Sequence, residues 1–316
     1  MAETFGYAAL GLVILLLAGD VLVKGAVNLA LRLGIPALIV SLTVVAFGTS
    51  APELLISVQS ILDGVPGLAL GNVVGSNTAN VLLVLGVPAL ITGLAASSDT
   101  LREYTFMMIG TVLFIGLCFV GPLTWWHGAI LLLGLAFVLG DAVRSARAHR
   151  NAASCDDLID EIEEADPNMP WWQVCVYLLL GLIGLPLGAS LLIDSATTIA
   201  TEYGISDAVI GLTLVAVGTS LPELATTVMA AIRRQADVAI GNVIGSNVFN
   251  LLGIIGVAVF VGPIPVDAEI LRFDLWVMLA ASVVLAPFVY YRWPMGRGVG
   301  LVFSALYVGY ILLLLM

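Results

Sequence analysis

The chain has 316 residues, of which 60% are apolar and only 10% carry a formal charge. A soluble domain carries roughly 25% charged residues, so this composition cannot cover a globular surface in water. The net charge of −11, with only 11 lysines and arginines, also excludes a nucleic-acid binder.

Taken in chain order, apolar runs bounded by glycines and charges predict helices at about 5–31, 36–62, 67–94, 104–120 and 126–143. A linker over 144–171 follows. It holds Asp156, Asp157, Asp160, Glu161, Glu163, Glu164 and Asp166, seven of the 22 acids. That run lacks the DxDxDG spacing of a calcium loop and reads as a solvated linker able to form one exposed helix. Five more helices are predicted at about 172–201, 206–231, 238–261, 275–291 and 298–315. About 20 apolar residues cross a bilayer core of about 30 Å, so the longer runs imply tilt or breaks rather than extra spans. The N-terminal run continues past Leu31 without a basic leader, which argues against a cleaved signal peptide.

Basic residues set the expected orientation. With ten spans, Arg32, Arg102, Arg144, Arg147, Arg150, Arg233, Arg234, Arg292 and Arg297 fall on one side, and only Arg272 on the other. The positive-inside rule then places the central linker in the cytoplasm and both termini outside.

The chain also contains itself twice. Displaced by 170 residues, Gly34–Val87 aligns with Gly204–Val257 without a gap, and 24 of 54 positions are identical. TVVAFGTSAPEL (43–54) matches TLVAVGTSLPEL (213–224), and GNVVGSNTAN (71–80) matches GNVIGSNVFN (241–250). Apolar segments share leucines by chance, but not two polar motifs at one fixed spacing. Five helices precede the second copy, an odd number, so it enters the membrane from the opposite side. The expected fold is therefore all-α, with ten transmembrane helices in two inverted five-helix repeats, 1–143 and 172–316. Inverted repeats of this kind belong to secondary transporters, whose sites lie near the midplane at the repeat interface.

Glu53 and Glu223 stand inside apolar helices, more than a turn from any predicted end. A carboxylate there costs several kcal/mol unless compensated, and no basic residue nearby can compensate both. A cation or a proton must do so. Pro52 and Pro222 cannot donate to the carbonyls of Gly48 and Gly218, four residues back, so the carbonyls of 46–48 and 216–218 become candidate ligands. Thr49, Ser50, Thr219 and Ser220 add hydroxyls beside each glutamate. Ser76, Asn77, Asn80, Ser246, Asn247 and Asn250 add oxygens from the second motif. An all-oxygen set with two carboxylates suits a hard cation such as Ca²⁺, which takes roughly six to eight oxygens, or Na⁺ divided among smaller sites.

Other polar residues read as structural. Asp20, Lys24 and Asp194 lie within spans, and Lys24 stands opposite Asp194 in the repeat register, which predicts a structural ion pair. Asp141 marks a helix end, and His127 and His149 fall in loops. Cys118, Cys155 and Cys175 show neither metal spacing nor a disulfide framework.

GTSxPEL followed by GNVxGSNxxN, twice, resembles the alpha repeats of the sodium/calcium exchanger family, in its compact prokaryotic form. The resemblance covers essentially the whole chain and is specific around 43–80 and 213–250. It implies a multi-pass protein of the cell (inner) membrane that works by alternating access, with inward Na⁺ (three per cycle) driving Ca²⁺ extrusion. It also implies that Glu53, Glu223, Thr49 and Thr219 hold Ca²⁺. Ser50, Ser76, Ser220 and Ser246, with the carbonyls of Ala46 and Ala216, would hold Na⁺, and Asn80 and Asn250 would form a central polar pair. Some members carry aspartate at the position of Asn250, and asparagine resembles the potassium-independent branch. The large regulatory domain of animal exchangers has no counterpart here.

The residues alone leave open a proton-coupled antiporter of Ca²⁺ or another cation, with the glutamates carrying protons. An intramembrane enzyme lacks its parts, since no GxSxG or GxGD pattern is present, and no cofactor is expected beyond the transported ions.

Overall fold

The computed structural model describes residues 2–96, 100–152, 169–202 and 216–314. All regular structure among them is helical. Helix α1 spans Ala2–Leu33, and α2 (Ala37–Thr49) and α3 (Ala51–Leu62) meet at a 41° bend. Next come α4 (Pro66–Ile91), α5 (Thr100–Val120) and α6 (Trp125–Ala152). The second half contains α7 (Trp171–Glu202), α8 (Ala216–Thr219), α9 (Leu221–Ile232), α10 (Ala236–Val261), α11 (Ile270–Tyr290) and α12 (Arg297–Leu314). Among the described residues, eight helices are long and apolar enough to cross a membrane, and the bent pair α2–α3 makes a ninth candidate. The expected stretch 206–215 and the acidic run 156–166 lie outside the described residues.

Burial sorts the helices into centre and rim. The apolar window of α10 is 89% buried and that of α4 72%, against 17% for α6 and 22% for both α7 and α12. The two repeated motif helices therefore form the middle of the bundle, while α6, α7 and α12 present leucines, valines and phenylalanines to the outside. In water such faces would associate; in lipid they need no partner.

Small residues fix the closest contacts. Helices α1 and α7 run antiparallel with Gly11 against Gly188, where an added Cβ at Gly11 would stand 2.8 Å from the Leu192 nitrogen. No larger side chain fits without moving a backbone. The ends of the bundle are clipped across the two halves. Leu94 and Met295 exchange backbone hydrogen bonds of 3.0 and 2.7 Å, and Leu123 and Ile264 exchange bonds of 2.8 and 2.9 Å. Leu94 and Ile264 are repeat mates, so each copy's motif helix is tied at its exit to a loop of the other copy.

Several polar expectations change. The expected Lys24–Asp194 pair does not form: Lys24 pairs with Asp20 at 3.4 Å, four residues back on α1, and Arg233 at the end of α9 joins the same carboxylate. Asp194 is exposed on α7 and takes a bond from Ser190 at 3.4 Å instead. Asp141 does not end a helix, because α6 continues to Ala152 and Arg102 pairs with it from α5. His127 is not in a loop. It is buried in the first turn of α6, where its Nδ1 accepts the Thr124 amide at 3.0 Å and so satisfies one of the free donors of the helix start. His149 lies on the same helix. Cys118 and Cys175 are both free thiols, and Cys155 lies outside the described residues.

Candidate ion-binding centre

The two GTSxPEL motifs fold alike. Each breaks its helix at the serine: Ser50 has φ −85°, ψ 6° and Ser220 has φ −87°, ψ 6°. The proline two residues later then sits in the first turn of a new helix, where its missing N–H costs nothing. Glu53 and Glu223, expected in mid-helix, therefore occupy the first turns of α3 and α9. A helix start favours negative charge through its free amides and dipole. These buried acids thus gain partial compensation that a continuous helix would deny them.

Burial is nearly complete. Glu53 is 1% exposed and Glu223 0%, and Thr49, Ser50, Ser76, Asn80, Thr219, Ser220, Ser246 and Asn250 are all at or below 5%. No lysine, arginine or histidine pairs with either glutamate among the described residues. Nor do three His, Cys, Asp or Glu side chains come together anywhere in the described residues. Any cation held here would draw its remaining ligands from neutral oxygens.

The second motif holds the first in place. Asn72 donates to the Glu53 carbonyl at 3.3 Å and to the Ser57 hydroxyl at 3.2 Å. Asn242 repeats this on the Glu223 carbonyl at 3.5 Å and the Thr227 hydroxyl at 3.2 Å. Asn80 donates to Asn247 Oδ1, and Asn250 to Asn77 Oδ1, each at 3.1 Å. The amide nitrogens of Asn80 and Asn250 are thereby consumed in cross-repeat bonds, which leaves their carbonyl oxygens. Asn80 opens a π-wound segment, Asn80–Val84, and Asn250 is the second residue of another, Phe249–Ile254, where a wider turn displaces the chain locally, a feature frequent at functional sites.

Six buried side-chain oxygens of this centre have no hydrogen-bond partner among the described residues: Glu53 Oε2, Glu223 Oε2, Asn80 Oδ1, Asn250 Oδ1, Ser76 Oγ and Ser220 Oγ. An unpartnered buried polar atom costs about 1–3 kcal/mol, more when charged. Six from four motifs in one place are a set of acceptors, not scattered defects. The remaining oxygens are partly engaged. Ser50 donates to Glu223 Oε1 at 2.9 Å, Ser246 approaches the same oxygen at 3.5 Å, and Thr49 lies 3.3 Å from the Ala46 carbonyl and 3.4 Å from Asn242 Oδ1. The Ala46 carbonyl is not freed as expected, since it also accepts the Ser50 amide at 3.0 Å. The carbonyl left without its helical donor is that of Gly48, opposite Pro52. Ala216 opens α8 beside Thr219.

Asn72, Asn242, Ser57 and Thr227 were not singled out by sequence. Their signal was available: asparagine recurs at the second position of both GNVxGSN motifs, and a hydroxyl recurs 15 residues before each.

Comparison with known proteins agrees with this geometry. The family described as "Sodium/calcium exchanger protein" matches residues 3–140 and 174–316. CaxA of Alkalimonas amylolytica is 40% identical over 283 residues, covering 88% of this chain and 87% of CaxA. The sodium/calcium exchanger MaX1 of Methanosarcina acetivorans is 34% identical over 337 residues, covering 96% of each. A structure of the sodium-calcium exchanger NCX_Mj, soaked with Na⁺ and Sr²⁺, superposes with a TM-score of 0.83 at 32% identity, covering 98% of this chain and 97% of that one.

Proposed function

The chain belongs to the sodium/calcium exchanger family, and we propose that it is an antiporter that exchanges Na⁺ for Ca²⁺ by alternating access and extrudes Ca²⁺ from the cell. The observation that carries this is the set of six unpartnered buried oxygens, two of them on carboxylates that no basic side chain among the described residues neutralises. Hard oxygens in that number and charge suit Ca²⁺.

In this reading Glu53 and Glu223, with Thr49 and Thr219, hold Ca²⁺. Ser50, Ser76, Ser220 and Ser246 hold Na⁺ with the carbonyls of Ala46 and Ala216, that of Ala46 once the Ser50 amide and Thr49 hydroxyl it now accepts give way, and Asn80 and Asn250 complete the centre. The ions are cargo, and no resident cofactor is required. An empty centre with both glutamates ionised carries −2. Moving that charge through a low-dielectric interior uncompensated is expensive, whereas a Ca²⁺-loaded centre is neutral. Access therefore switches when the site is loaded, which makes exchange obligatory.

The architecture we propose is ten helices in two inverted repeats, 1–143 and 172–316, joined by a cytoplasmic linker at 144–171. The duplicated Asn72 and Asn242 bonds, the reciprocal Asn80–Asn247 and Asn250–Asn77 pairs, and the two cross-repeat backbone clips support it. The arginine distribution supports a cytoplasmic linker and external termini in the cell membrane.

Reconstituted vesicles loaded with ⁴⁵Ca²⁺ test the proposal, with Na⁺ and H⁺ gradients imposed separately. Ca²⁺ movement driven by an opposing Na⁺ gradient at clamped pH is the expected result. Movement driven by a proton gradient alone would replace Na⁺ by H⁺ as the coupling ion. Comparable Ca²⁺ flux with no exchangeable counter-cation would remove exchange altogether.

A further inference from the structure

A cavity of about 230 Å³ beside the centre is not explained by the ligand set. Its lining is mostly apolar; the polar groups in it are Asn72 and Ser76 of α4, Asp274 of α11, and Tyr307 and Tyr310 of α12. In the orientation proposed above, it lies in the outer half of the membrane. Its inner limit includes Ser76, 3% exposed, whose hydroxyl has no partner.

Among the described residues, the repeat mates of its glycines have no such space. A Cβ added at Gly71 or Gly75 would meet nothing within 4 Å. At the repeat mates the space is filled: a Cβ on Gly241 would stand 3.0 Å from the Leu38 carbonyl, and one on Gly245 2.4 Å from that of Leu42. The acid in the wall is not duplicated either. Asp274 falls on Tyr104 in the 170-residue register, and the Tyr104 hydroxyl is used on the Ser282 carbonyl at 2.9 Å.

Asp274 is half-buried and lies within a candidate span, with no ion pair among the described residues. Tyr310 donates to its Oδ1 at 2.9 Å, which holds the side chain without neutralising it. A half-buried carboxylate inside a candidate span, with no ion pair among the described residues, is a functional candidate by default. A carboxylate also has lone pairs to spare after one hydrogen bond, and a negative group in a low-dielectric wall concentrates cations locally.

We propose that Asp274 is an outer docking carboxylate, which receives Na⁺ from the external solution and passes it along this cavity to Ser76. This rests on the exchange reading and assigns that reading an entry point outside the two repeated motifs. The residue touches the ion in transit and is not part of the central charge balance.

The test measures Ca²⁺ extrusion from vesicles of known orientation while external Na⁺ is varied, for the unmutated protein, Asp274→Asn and Tyr310→Phe. Asp274→Asn should raise the half-saturating external Na⁺ by about threefold to tenfold, with the maximal rate at saturating Na⁺ and the internal Ca²⁺ dependence unchanged. Tyr310→Phe keeps the charge and should stay within about twofold of the unmutated protein. Unaltered Na⁺ dependence in Asp274→Asn overturns the inference. So does a fall in maximal rate without a change in half-saturation, which marks a purely structural residue. If Asp274→Asn fails to fold, Asp274→Ser and the charge-retaining Asp274→Glu replace it, and equal Na⁺ dependence in those two overturns the inference as well. Absence of Na⁺-driven extrusion in the unmutated protein strikes the exchange reading itself, and it is recognised because every variant then fails alike.

Discussion

Ser50 donates a 2.9 Å hydrogen bond to Glu223 across the two halves of the chain, while Ser220, its repeat mate, leaves an equally buried hydroxyl unpartnered. The sequence makes these serines equivalent, and the fold makes them different. Such inequality is what the proposed alternating access requires, because in that reading two inverted halves hold different conformations in any one state and exchange them in the other.

The two serines should therefore differ in stability measurements. Ser50→Ala removes a bond to a buried carboxylate, worth about 1.5–3 kcal/mol. Ser220→Ala removes a hydroxyl that bonds nothing. Thermal unfolding of the purified, ion-free proteins should show a lower midpoint for Ser50→Ala and little change for Ser220→Ala. Equal losses would show that the asymmetry is not a property of the ion-free protein. Both substitutions should weaken Na⁺ dependence, since each deletes a proposed ligand.

Glu53→Gln and Glu223→Gln should each abolish Ca²⁺ transport without loss of folded protein. Each removes one unit of the charge that offsets Ca²⁺ and one anionic ligand oxygen. In the ion-free state each also removes a buried carboxylate that no basic side chain among the described residues compensates, so a buried charge is relieved rather than stranded. Unfolding temperatures at or above that of the unmutated protein, with ⁴⁵Ca²⁺ flux at background, are the expected pair of results. Normal Ca²⁺ exchange in either variant would remove the glutamates from the site.

The glycines of the second motif give a sharper test of alternation. Gly245 packs against α2, where an added Cβ would lie 2.4 Å from the Leu42 carbonyl, whereas Gly75 meets nothing within 4 Å. Gly245→Ala should cost about 1–3 kcal/mol by forcing a backbone apart. Gly75→Ala should leave stability unchanged in the present conformation. If the halves exchange roles, however, Gly75 must be closely packed in the opposite state. Gly75→Ala should then slow turnover while preserving ion binding on the open side. Full turnover in Gly75→Ala would mean that the two motif helices never trade environments.

Much of this was legible in the sequence, for identifiable reasons. The spans follow from apolar runs, and the duplication follows from polar motifs too specific to arise twice by chance. Glu53 and Glu223 are visible because an acid in such a run demands compensation. What could not be read was anything depending on how the halves dock. The repeat register aligned Lys24 with Asp194, yet Lys24 lies four residues from Asp20 on one helix face, and Arg233 reaches the same carboxylate across α1 and α9. The amide orientations of Asn80 and Asn250 depend on Asn247 and Asn77, which come from the opposite copy. Asp274 belongs to neither repeated motif. Its role as a cavity wall depends on the packing of α4, α11 and α12, and no motif encodes that.

The last prediction concerns voltage. Asparagine stands at both 80 and 250, so Glu53 and Glu223 supply the only formal charges identified at the centre. With both ionised, the Ca²⁺-loaded centre is neutral, and a centre holding the three Na⁺ that the family resemblance implies carries +1. The Na⁺-loaded step then moves charge through the membrane field, worth about 2.3 kcal/mol per elementary charge per 100 mV. Ca²⁺ extrusion should accelerate when the interior is negative, because the field draws the Na⁺-loaded centre inward. A valinomycin-imposed potassium potential across the vesicle membrane measures this directly. Asn250→Asp supplies the matching perturbation: once its added carboxyl ionises, the Na⁺-loaded centre becomes neutral and the Ca²⁺-loaded one carries −1. The charge-moving step is then the Ca²⁺-loaded one, which carries negative charge outward, so net movement per cycle is preserved while the step that senses voltage changes. Voltage should therefore act on the rate at saturating Na⁺ in the unmutated protein and on the Ca²⁺-translocating half-cycle in the variant. Exchange in the unmutated protein that ignores the imposed potential would mean that the two loaded centres carry equal charge, as in a swap of two Na⁺ or two protons for one Ca²⁺.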